Sequence, residues 1–148
     1  MKPKNGSASI RKGRTSLAGH IYHVTLPVEN RVQVFSIFEN ANLMRLSLKA
    51  SDDLGHTETL CYCIMPDHIH WLFEFKSSSL SQCISRVKAQ YSRLSNSKIW
   101  QDGFHDHAIR SDESLINIAR YIVANPLRAG LIKSVAQYNF WDSCWIDG

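Results

Sequence analysis

Two apolar runs separated by a two-residue break constrain this chain more than any other feature. Leu60-Cys61-Tyr62-Cys63-Ile64-Met65 precedes Pro66-Asp67, and His68-Ile69-His70 then leads into Trp71-Leu72-Phe73-Glu74-Phe75. Pro-Asp is turn chemistry, so residues 58–65 and 68–75 read as the strands of an antiparallel hairpin. Side chains two apart on a strand project the same way. Ile69, Trp71 and Phe73 therefore share one face, and His68, His70 and Leu72 share the other. Two imidazoles aimed together from a rigid sheet are well placed to hold a divalent metal. A His-x-His triplet also arises easily by chance, and spacing alone leaves two ordinary histidines near a strand end as an equal reading.

The hairpin sits within a recognisable order of elements. Residues 20–27, His20-Ile21-Tyr22-His23-Val24-Thr25-Leu26-Pro27, are rich in β-formers and read as a strand. Val34, Ile37, Phe38, Ala41, Met44 and Leu48 recur at helical spacing and predict a helix over 31–49, ended by Asp52, Asp53 and Gly55. Leu80, Ile84, Val87, Tyr91 and Leu94 mark a second helix over 79–96. Residues 104–110 read as a short strand. Ser111 or Asp112 is expected to cap a helix running to about Asn125, where Pro126 stops or bends it, and Gly130 ends the turn that follows. The aromatic tail 137–145 is expected to pack back on the core. The order β-α-β-β-α-β-α predicts an α+β, ferredoxin/RRM-like split β-α-β with a central antiparallel sheet, helices on one face, and a C-terminal extension. One domain, 19–148, is expected to follow an arm, 1–18.

Composition narrows the class. With 148 residues, 44% hydrophobic and 20% charged, the chain has the balance of an ordinary globular domain. No apolar stretch approaches ~20 residues and the N-terminus carries no hydrophobic signal region, so a cytoplasmic protein with no membrane partner is expected. The net charge of +4 is uneven. Lys2, Lys4, Arg11, Lys12 and Arg14 fall within residues 1–28 with no acid, leaving 12 basic against 13 acidic residues in the rest. A basic arm of this kind often meets nucleic-acid phosphate, and is also often a solubilising tail. Cys61, Cys63, Cys83 and Cys144 fit no structural zinc spacing and read as buried free thiols.

Paired imidazoles need a further ligand and a reacting group. On the last long helix, Leu115, Ile118, Ala119 and Ile122 mark a buried arc, and at about 100° per residue Tyr121 and Asn125 lie together at its edge. A carboxamide oxygen is a reasonable hard ligand and a phenol a possible nucleophile. Arg120 and Arg128 nearby suit phosphate. Geometry alone favours the plainer reading of an amphipathic Tyr and a helix-terminal Asn before Pro. Tyr91 is a competing phenol whose place in an apolar stripe argues for burial. His105-Asp106-His107 is a competing His-x-His triplet, and one of its imidazoles can still line the site.

A resemblance adds to these readings. Met65-Pro66-Asp67-His68-Ile69-His70-Trp71-Leu72 resembles the HUH segment of the single-tyrosine transposases of small insertion sequences. Segments 100–110 and 120–131 resemble stretches of their domesticated relatives, the REP-associated tyrosine transposases, and Tyr22-His23-Val24-Thr25 also fits. The similarity runs over about residues 20–145, with three motifs in the family's order. It implies His68 and His70 as metal ligands, Asn125 as the third where some relatives use Gln, and Tyr121 as nucleophile. It implies Mg²⁺ or Mn²⁺ as cofactor and single-stranded DNA beside a hairpin as partner. The activity implied is endonuclease and strand transfer in DNA transposition through a 5′-phosphotyrosine intermediate. Lys12, Arg14, Arg110, Arg120 and Arg128 are the candidate DNA-binding cations. A non-catalytic hairpin-binding regulator and a phosphoesterase of small substrates are the rival readings. A monomer and a homodimer are both compatible with the sequence.

Overall fold

The computed structural model describes residues 20–76, 79–110, 113–131, 138 and 140–144. The arm 1–18, with Lys12 and Arg14, and the caps expected at Ser111 or Asp112 lie outside the described residues. The strands are β1 (Ile21–Pro27), β2 (Thr57–Met65), β3 (His68–Phe75), β4 (His105–Ala108) and β5 (Trp141–Ser143). The helices are α1 (Phe38–Asp53), α2 (Leu80–Ser95), α3 (Leu115–Val123) and α4 (Asn125–Arg128). The five strands form one sheet in the order β4-β1-β3-β2-β5, every neighbouring pair antiparallel. β1 and β2 flank β3, which is the expected split arrangement, and β5 extends the sheet beyond β2.

Alternation along β3 divides the molecule into two cores. Ile69, Trp71, Phe73 and Phe75 join Tyr22, Val24 and Leu26 of β1 under α1 and α2. Met44 and Leu48 of α1, and Ile84, Val87 and Tyr91 of α2, close this face. Leu72 instead joins Cys61, Cys63 and Met65 of β2 beneath Leu115, Ala119, Ile122 and Val123 of α3. Helices α1 and α2 thus share one face as expected, and α3, in the C-terminal extension, lies on the other. The tail returns to both: Phe140 packs on the first core, and Tyr138 and Trp141 on the second.

The first helix starts later than its apolar spacing implies. Asn30 and Arg31 adopt positive φ (57° and 54°), and residues 29–31 and 34–36 form separate 3₁₀ turns. A left-handed backbone cannot continue a right-handed helix. Val34 belongs to the second of these turns, and Ile37 and Phe38 are exposed. α2 obeys its stripe except at the exposed Leu94. The Ser79 hydroxyl accepts from the Gln82 amide at its start, and Asn96 ends it at φ 55°. Cys61, Cys63 and Cys83 are buried and outside any disulfide, whereas Cys144 is exposed, because it follows the short edge strand β5.

Candidate active site

The hairpin carries the two histidines as the alternation predicts. Their rings stand edge-on at 4.9 Å between centroids. Each is held through Nδ1. The Asp67 carboxylate lies 2.8 Å from Nδ1 of His68. A carboxylate only accepts, so Nδ1 carries a proton and Nε2 is the nitrogen left to offer a lone pair when the ring is neutral. Asp67 is itself fixed by Arg31, whose Nε donates to Oδ2 at 3.0 Å. Burial raises the Asp67 pKa, but the hydrogen bonds from His68 and Arg31 outweigh it, and the carboxyl titrates below its ordinary value. Nδ1 of His70 lies 3.0 Å from Nε2 of His23 and 3.3 Å from Oγ1 of Thr25, both on β1. Burial first, and then the neighbouring His68, His23 and Arg128, push the His70 pKa down to about 3. The ring is therefore neutral at pH 7, the state in which an imidazole binds metal.

His23, Thr25, Asp67 and Arg31 are site residues that sequence reasoning missed. An isolated His in a strand has no periodic partner to single it out. Only the register, which sets His70 opposite Thr25, brings His23 diagonally onto the same imidazole. The second His-x-His triplet arrives on this face as well. In β4, His107 pairs across from His23 and His105 from Thr25. Both are exposed, and His107 Nε2 lies 2.9 Å from a Glu113 carboxylate oxygen. Tyr91 is fully buried on the opposite face, edge-on to Phe35 and Trp100, so it plays the core role expected of it.

Helix α3 lies on the histidine side of the sheet. It starts where the Ser114 hydroxyl accepts from the Asn117 amide, and its Ala119 carbonyl accepts a 3.8 Å contact from the Cys61 thiol. It ends at Val123, capped by Ala124, because Pro126 has no N–H to offer the carbonyl of Ile122. α4 then begins at Asn125, so Tyr121 and Asn125 sit on either side of the break. Tyr121 is 57% exposed, and the Arg128 guanidinium lies 3.7 Å over its ring. Arg128 is also near enough for its charge to disfavour protonation of His70 and to favour ionisation of the Cys63 thiol. It is thus shared between the phenol and the histidine strand. Arg110 and Arg120 are exposed.

Among the described residues no three His, Cys, Asp or Glu side chains gather to hold a metal. A cation here would need two imidazoles and an amide oxygen. Asn125 fits that need: its carboxamide nitrogen is buried with no hydrogen-bond partner. Amide oxygen and nitrogen exchange places by a simple flip, so one end of this group is left for a ligand.

A split β-α-β sheet with paired histidines on the face covered by a tyrosine-bearing helix defines the class. The chain belongs to the IS200-like transposase family, whose model matches residues 16–125. It is similar to the REP-associated tyrosine transposase of Escherichia coli strain K12, with 25% identity over 130 residues, covering 86% of this chain and 78% of that one. A Haemophilus influenzae relative that bears the same name provisionally is 27% identical over 139 residues, covering 82% and 78%. The fold matches that of a REP-associated tyrosine transposase bound to a REP hairpin, with a TM-score of 0.76 at 22% identity over 86% of this chain and 79% of that one. No helix among the described residues is long and apolar enough to cross a membrane.

Proposed function

We propose that this transposase-family protein is a metal-dependent, single-stranded DNA nicking and joining enzyme that acts beside DNA hairpins in the cytoplasm. One observation carries the reading: the helix that bears Tyr121 is docked on the sheet face from which His68 and His70 project. His68, His70 and Asn125 would hold Mg²⁺ or Mn²⁺, the ions that suit mixed imidazole and oxygen ligands. Such an ion, when bound, neutralises charge on the scissile phosphodiester and aligns it. Tyr121 attacks phosphorus in line. The Tyr Oη–P bond forms as the P–O3′ bond breaks, the phenol gives up its proton to water, and the departing 3′ oxygen gains one. The 5′-phosphotyrosine ester retains the energy of the broken bond, so rejoining needs no nucleotide cofactor. A free phenol ionises near pH ~10, so proton removal has to accompany attack. Arg128, stacked on the ring, keeps an otherwise exposed side chain in a defined place. Arg110 and Arg120, with Lys12 and Arg14 of the arm, supply phosphate contacts that position the strand, and contacts to bases specify it.

The test is a labelled single strand carrying a hairpin, incubated with the full chain and Mg²⁺ or Mn²⁺. A covalent protein–DNA adduct is expected from the wild type and none from Tyr121→Phe. Undiminished adduct from Tyr121→Phe would remove Tyr121 as nucleophile. Tight hairpin binding by the wild type with no nicking in either metal would point to a regulator instead.

A further inference from the structure

His68 and His70 have unequal support. His68 leans on a carboxylate from the adjoining turn, which is itself pinned by Arg31. His70 has no acid at its Nδ1. What stands there is the Nε2 of His23, at 3.0 Å, with the Thr25 hydroxyl at 3.3 Å. The two rings are tilted by 42° with centroids 5.2 Å apart, a geometry set by nitrogen meeting nitrogen rather than by stacking. Two neutral imidazoles at this distance bond only if one nitrogen carries the proton and the other a lone pair.

We propose that His23 is a positioning residue for His70: its Nε2 accepts the Nδ1–H of His70, which locks that ring in one tautomer and leaves His70 Nε2 as the lone-pair nitrogen beside His68. The proposal rests on the metal-binding reading of the histidine pair. The sheet explains why an imidazole serves here. β1 is a central strand, paired on both sides, whereas His68 adjoins the Pro66-Asp67 turn that lends it an acid. A carboxylate at position 23 would put a charge on a half-buried, doubly paired strand, at a desolvation cost a neutral ring avoids. The imidazole supplies the same lone pair uncharged. Thr25 offers a longer, secondary acceptor. The order across the face is then His107, His23, His70 and His68 on three adjacent strands, each ring with a different neighbour to bond. Partners that orient a ligating His commonly matter almost as much as the ligand itself.

The experiment uses the full chain and two readouts. In metal-free protein, long-range ¹H–¹⁵N spectra report which nitrogen of His70 carries the proton. The wild type is expected to show the Nδ1–H form, and His23→Phe, which keeps a ring but no nitrogen, a mixture. Mn²⁺ affinity by calorimetry is expected to fall by about 10–100-fold in His23→Phe. His23→Gln, which restores an acceptor oxygen, is expected to recover most of that loss. An Nε2–H form of His70 in the wild type, or wild-type Mn²⁺ affinity in His23→Phe, would overturn the proposal. A wild-type protein that binds no Mn²⁺ would instead strike down the metal reading, and the role of His23 with it. Melting of each metal-free variant shows whether it is folded. If His23→Phe does not fold, the Phe-to-Gln contrast is replaced by His23→Asn against His23→Gln, where the shorter amide is expected to bind Mn²⁺ less well and equal affinity would count against the proposal.

Discussion

Ile69, Trp71, Phe73 and Phe75 on one side of β3 are completely buried, whereas His68, His70 and Glu74 on the other are only partly so. The same strand faces two environments. Two 16-residue helices close the first side, and the nine-residue α3 covers only part of the second. Complete burial gives the sheet its stability on one face. Incomplete cover leaves the other face with partly buried imidazoles, an exposed phenol and an amide with an unpaired end. The fold can keep these polar groups because the opposite core holds the strand that presents them.

Three substitutions probe this division, in falling order of effect. Trp71→Ala removes an indole stacked on Phe73 at 3.8 Å between ring centroids and deprives the Thr59 hydroxyl of its N–H donor. It is expected to cost about 3–5 kcal/mol in urea unfolding. A loss under about 1 kcal/mol would mean that this face does not carry the stability.

The histidine face makes a smaller, pH-dependent contribution of opposite sign. Burial, with help from His68, His23 and Arg128, lowers the His70 pKa to about 3. In the unfolded chain the ring accepts a proton near pH ~6.5. The unfolded state therefore binds more protons over the window between, and stability falls as pH drops from ~6.5 towards 3, by at most about 1.4 kcal/mol per unit from this group. Metal-free His70→Gln should show a shallower fall than wild type between pH 7 and 5, measured by denaturant unfolding. Parallel curves would place no strain at His70. Smallest of the three is Ser114→Ala, which removes the α3 cap and should cost about 1 kcal/mol, read as earlier amide exchange in α3 than in α2.

The sequence was most informative where local pattern and tertiary burial agree. The bounds of β3, the shared face of His68 and His70, the stripe of α2 and the burial of Tyr91 all follow from periodicities that the core rewards directly. The start of α1 was hidden because Val34, Ile37 and Phe38 mimic a helical stripe across a 3₁₀ turn at 34–36 and an extended backbone at Ile37 (φ −88°, ψ 123°). The placement of α3 opposite α1 and α2 was hidden for a different reason. An amphipathic arc says that a helix is buried, not on which side of the sheet. His23 and Thr25 depend on strand register, which no stretch of single sequence encodes. In the sequence Asp67 is turn punctuation, and its second role appears only with the side-chain geometry.

The spatial relation between phenol and histidines is open to one direct measurement. Tyrosine rings labelled with fluorine report their distance to a paramagnetic ion, and Mn²⁺ is the ion to add. The Tyr121 signal, identified by its absence in Tyr121→Phe, should broaden at substoichiometric Mn²⁺, and more strongly than that of Tyr91 on the far side of the sheet. Replacing His68 and His70 by Ala should abolish the effect. Mn²⁺ that binds in a His68- and His70-dependent manner yet leaves Tyr121 unbroadened would contradict the proposed active site.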